Sequence, residues 1–159
     1  MGRGRGYGSS AVILLLCLVL GGCAHQRAAG PVATPRHGGD GLVGVHWRLR
    51  EVAGPAGAFA VPASLDSWLE VTSRYAMSGR DGCNTFTAAG HRSAQGFTAS
   101  DVTETANGCL SDHGVLDAAR SGFSSVLNGQ LTRVQLSGPQ LRLTTRKCTL
   151  VFAAAGSGR

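Results

Sequence analysis

Charge and aromatic side chains are both sparse in this chain of 159 residues: 15% are charged and 6% aromatic. The length excludes a large multidomain enzyme. Low charge alongside 43% apolar residues excludes wholesale disorder. No apolar run approaches the roughly 20 residues that a spanning helix needs. The longest, Ala11 to Leu20, stops at ten. No C-x₂₋₄-C knuckle is present, the three later cysteines being 26 and 39 positions apart, so the spacing argues against a zinc site and no metal or other cofactor is expected. Basic residues are nowhere interleaved with aromatics in a stripe, which argues against nucleic acid despite a net charge of +6.

What is present begins with sorting information. Arg3 and Arg5 precede the ten-residue apolar run, the pattern of a secretory signal peptide. The run ends in Leu20-Gly21-Gly22-Cys23, which resembles a bacterial lipobox. That resemblance implies cleavage after residue 22 and a diacylglycerol on the Cys23 thiol. The alternative is ordinary secretion, with Cys23 incidental to the cleavage site. Gly2 is not a myristoylation signal, because Gly6 stands where Ser or Thr is required. Multiple acylation would give stable membrane anchoring where a single chain does not. Residues 24–41 are rich in Gly, Ala and Pro without apolar periodicity, so 23–41 reads as a flexible tether. One domain over 42–154 and a short tail, 155–159, complete the expected organisation.

The charge belongs largely to these flanks. From Cys23 onward the chain carries 13 basic and 9 acidic residues, and over 42–154 only 10 and 8. Arg142, Arg146 and Lys147 cluster near the last predicted hairpin. They read as a solvated edge protected against strand pairing, or as a contact for anionic lipid or cell-wall polymer beside the anchor.

Within the domain, period two dominates. Val43, Val45, Trp47 and Leu49 alternate with more polar residues and predict a half-buried antiparallel strand, broken by Gly54-Pro55-Ala56-Gly57. Further strands are expected over 68–71, 74–78, 97–102, 131–136, 141–144 and 148–152. Between Ser111 and Leu127 the period changes: Val115, Leu116, Ala119, Phe123, Val126 and Leu127 make one apolar stripe of an amphipathic helix. Ser111 or Asp112 can cap its start, and Asn128-Gly129 can stop it. Gly122 within it costs roughly 1 kcal/mol relative to Ala, an expense that close packing on a strand would explain. The expected fold is mainly β (α+β): an antiparallel sheet or half-open barrel of about 6–8 strands with one helix near 112–127.

Gly79-Arg80-Asp81-Gly82-Cys83-Asn84-Thr85-Phe86 resembles the G-x-x-GCN-x-aromatic signature of META/HslJ-like domains, the DUF306 group. Trp47-x-Leu49 matches that family's opening strand. Thr105-Ala106-Asn107-Gly108-Cys109 lies where the family has Thr-x-Met-x-Cys, and the helix and closing strands follow in order. Asn107 departs from the usual Met, and Asp117 is the best match to an acidic residue early in the helix. The resemblance covers about residues 43–153. It implies a compact antiparallel β domain, often behind a lipoprotein signal, linked to heat or envelope stress and without an established reaction. It also makes Cys83–Cys109 the preferred disulfide, leaving Cys148 free; Cys109–Cys148 is the runner-up. A bridge of that span would contribute about 3 kcal/mol in the chain-entropy model.

Local chemistry gives the signature residues Gly79, Gly82, Cys83, Asn84 and Phe86 a structural role. Two glycines permit a sharp backbone excursion, and Asn84 can bond neighbouring backbone groups. The catalytic alternative, Cys83 as nucleophile with His91 or His113 as base, lacks a nucleophile–base–orienter set. The sequence therefore points to a non-enzymatic monomeric lipoprotein on the extracytoplasmic face of the cell membrane, held by its lipid, with an envelope protein as candidate partner. A protease-inhibitor-like or ligand-binding envelope protein is the alternative, an inhibitor loop falling at 53–66.

Overall fold

The computed structural model describes residues 41–156, other than 73 and 113. Expectations about the signal peptide, Cys23, the tether and most of the tail fall outside them. The described residues form β1 (Trp47–Gly54), β2 (Gly57–Ala60), β3 (Ser67–Val71), β4 (Met77–Asp81), β5 (Thr85–Ser93), β6 (Gly96–Glu104), α1 (Val115–Leu127), β7 (Thr132–Ser137), β8 (Gln140–Thr144) and β9 (Thr149–Ala154). From β3 to β9 each strand pairs antiparallel with the next. β1 then pairs with β9 along its length, from Trp47↔Ala154 to Ala53↔Thr149. The expected β-rich architecture is thus present, and the sheet closes completely into a barrel of eight strands. β2 stands outside that count as a hairpin arm on β1, whose other edge it shares with β3.

An eight-stranded barrel has an interior just wide enough for side chains to fill. Here alternate residues of each strand fill it: Trp47 and Leu49 from β1, Leu69 and Val71 from β3, Leu141 and Leu143 from β8, Leu150 and Phe152 from β9, all buried. The apolar stripe of α1 completes this core. Phe123 places its ring centroid 5.2 Å from Phe86 and 5.9 Å from Phe152. The helix touches β1, β2, β4 and β6, strands from opposite sides of the barrel, and so plugs one end. Gly122 makes this approach feasible: a Cβ there would lie 2.5 Å from Leu150 Cδ2. Its helix-propensity cost is offset by close packing on β1 and β9. Among the described residues no helix is long and apolar enough to cross a membrane.

Several boundaries differ from the sequence expectations for local reasons. The first strand begins at Trp47 because 41–44 is a turn, with Gly44 at φ 72° and its N–H donating to Val71 O. The strand expected over 74–78 lies at Met77–Asp81, since Tyr75 occupies a left-handed turn at φ 59°. The break at 54–57 is the tight turn between β1 and β2. α1 begins at Val115 without a side-chain bond from the adjacent cap residue Gly114. Asp112 instead accepts from the N–H groups of Gly114 (2.8 Å) and Leu116 (3.1 Å). Those bonds, that to Leu116 foremost, hold its carboxyl below the ordinary Asp range.

Candidate functional site

The signature residues converge where β4 turns into β5. Gly79 pairs across the strands with Phe86, and a Cβ on Gly79 would stand 2.4 Å from the Phe86 ring. Glycine is required there so that Phe86 can fold over the strand into the core against Phe123. Gly82 follows at φ 101°, a conformation that favours glycine. Its turn is held by Asp81, which is 2% exposed and whose Oδ1 accepts from the N–H groups of Cys83 (2.8 Å) and Asn84 (2.6 Å). Arg120 of α1 brings its Nε within 4.0 Å of the other Asp81 oxygen, so this buried charge has a partner. Glu104, at the end of β6, is raised above the ordinary Glu range by partial burial, then by the Asp81 charge, with Arg120 opposing.

Asn84 ties this turn to the segment after β6. Its Oδ1 accepts from Asn107 N (2.8 Å) and Thr105 Oγ1 (3.3 Å), while Asn107 Nδ2 donates to Cys83 O (3.2 Å). Asn107 thus supplies a donor that a methionine could not, which gives the departure from the family pattern a local rationale. Cys83 and Cys109 are bonded to each other, with Cα atoms 6.1 Å apart, and Cys148 carries a free thiol. Asp81 Oδ1, Asn84 Oδ1 and Asn107 Nδ2 are therefore engaged in holding backbone, whereas Arg80 of the signature turns to Asp66, its Nε 3.6 Å from Oδ2. With its sulfur in the bridge, Cys83 presents no thiolate. His91 lies exposed on β5, its Nε2 2.9 Å from Ser100 Oγ, and His113 falls outside the described residues. Among the described residues no three His, Cys, Asp or Glu side chains group as metal ligands.

A second corner presents a different arrangement. The β1–β2 turn, the outer face of α1 and the β8–β9 turn border an open groove of about 610 Å³. Val52, Pro55, Phe59, Ala118 and Gly122 give it an apolar surface, and Arg146, Lys147 and Cys148 come from the β8–β9 turn. Cys148 Sγ lies 3.0 Å from Ser125 Oγ. Arg146 also lines a neighbouring basin of about 520 Å³ with Gln130, Arg133, Thr144 and Thr145. The basic cluster at this turn was visible in the sequence. The apolar surface was not, because it is assembled from a hairpin that reads as a break and from the less apolar side of the helix.

The META domain family model matches residues 40–157. The chain belongs to the META domain family. A search of curated proteins gives no match. Among solved structures, an NMR structure of a protein from Burkholderia xenovorans is similar at TM-score 0.56 and 22% identity, covering 72% of this chain and 84% of that one. A second NMR structure is similar at TM-score 0.57 and 22% identity, covering 71% and 91%. At that identity the likeness concerns the fold of the META domain alone.

Proposed function

We propose that this META domain protein is an exported bacterial lipoprotein, anchored through Cys23 on the extracytoplasmic face of the membrane, whose domain acts without catalysis as a binding or protective module of the envelope under heat or other stress. The observation that carries the non-catalytic reading is the engagement of the signature: Asp81, Asn84 and Asn107 bond backbone, and the Cys83 sulfur is in a bridge. The anchor rests on the run Ala11–Leu20 followed by Leu20-Gly21-Gly22-Cys23. Metabolic labelling with a palmitate analogue tests it. Label is expected on the wild-type chain and lost in Cys23→Ala; an unlabelled chain, or label that survives the substitution, removes the anchor.

Of the two envelope alternatives, ligand binding is favoured by the apolar groove beside α1. The inhibitor reading has less support, because 53–66 contains β2 and the turn leading into it rather than one long free loop.

A further inference from the structure

The β8–β9 turn carries cations that the fold does not use. Among the described residues Arg133, Arg146 and Lys147 have no carboxylate partner. Two of them border the groove whose surface is Val52, Pro55, Phe59 and Ala118. Arg146 also faces the polar basin beyond, which Arg133 shares. The one acid on the groove, Asp117, is already bonded to Ser111 Oγ. Apolar surface thus leads directly to unpaired positive charge within one recess, and the volume lies inside the roughly 300–1,000 Å³ of small-molecule sites.

We propose that this groove binds a free single-chain anionic amphiphile, a fatty-acid-like carboxylate, with its chain against Val52, Phe59 and Ala118 and its head group at Arg146 and Lys147. Each half of such a ligand meets the environment it requires. Burial of the chain is favoured by removal of apolar surface from water. The carboxylate gains charge-assisted hydrogen bonds from a guanidinium and an ammonium. A detached chain is the occupant chosen because apolar lining and two cations share one recess of about 610 Å³, the size of a small-molecule site. The inference deepens the ligand-binding reading of the domain and is independent of the anchor.

Cys148 lines the same groove and serves as the reporter. The test uses the full chain carrying Cys17→Ala and Cys23→Ala, so that Cys148 is the thiol outside the 83–109 bridge. Alkylation by neutral iodoacetamide is followed while dodecanoate, below its micelle concentration, is titrated in. The expected result is saturable protection of Cys148 that is weakened about tenfold or more by R146E/K147E. Dodecanol should protect less well and be insensitive to the charge reversal. Ala118→Trp, which fills the groove, should abolish protection by both; the charge-reversed variant keeps the test decisive if the tryptophan prevents folding. Absence of saturable protection would overturn the proposal. So would equal protection by dodecanol and dodecanoate, or protection by anionic phosphatidylglycerol vesicles but not by dodecanoate. Failure of the anchor appears only in palmitate labelling, and failure of the groove only here.

Discussion

Two corners of this domain each hold a cysteine, a buried or half-buried hydroxyl or amide and nearby charge, yet they are built for opposite ends. At the β4–β5 corner Cys83 is bridged, Asp81 faces Arg120 at 4.0 Å, and the Asn84 and Asn107 amides bond backbone. At the β8–β9 corner Cys148 is free, and Arg146 and Lys147 have no carboxylate partner among the described residues. Satisfied polar networks rigidify a fold, whereas unpaired charge beside apolar surface is available for recognition. A sequence signature can thus mark the place where a domain is fastened, while the surface suited to a ligand lies elsewhere.

The sharpest way to break this contrast is to treat both cysteines alike. Replacing Cys83 and Cys109 together by Ala should lower unfolding free energy by about 3 kcal/mol, measured by urea denaturation. Cys148→Ala should cost less than about 1 kcal/mol, since it removes one small, partly exposed thiol; equal losses would erase the distinction. Asn84→Ala should cost about 2 kcal/mol, because it strips a buried acceptor from Asn107 N and Thr105 Oγ1. Asn107→Met should cost about 1 kcal/mol through loss of the Nδ2 bond to Cys83 O. A neutral or stabilising effect would show that the amide is not part of the brace.

The smallest effects concern pH. Asp112 is lowered by the helix N–H groups it accepts from, so its contribution is present above the ordinary Asp range and lost as pH falls through its lowered value. Asp112→Asn should flatten that acid decline. Glu104 carries the opposite sign. Its raised value favours the folded state below the ordinary Glu range, and that contribution is lost as pH rises through the raised value. Glu104→Gln should therefore slightly raise the thermal midpoint at neutral pH, with a drop arguing against a cost from burial and from the Asp81 charge.

Elements with a strong period were legible in the sequence. Leu141, Leu143, Leu150 and Phe152 alternate inward as their spacing implies, and the α1 stripe packs on the core through Phe123. β5 was hidden because only Phe86 and Ala88 mark its inner face before Gly90 and the exposed residues 91–93; it forms by pairing with β4 and β6 on both edges. β2 was hidden behind Gly54-Pro55-Ala56-Gly57, where hairpin turn and chain break look alike. Barrel closure is a long-range pairing of the first strand with the last, which no local pattern encodes. The signature and its cysteine pair were readable through family resemblance, whereas the groove needs three distant segments brought together.

The division of labour between the corners is tested most directly by measuring dodecanoate protection of Cys148 in Asn84→Ala, well below that variant's thermal midpoint, beside R146E/K147E. The account predicts that Asn84→Ala loses stability but keeps protection, and that R146E/K147E keeps stability but loses protection. Loss of protection in folded Asn84→Ala, with protection intact after charge reversal, would contradict it.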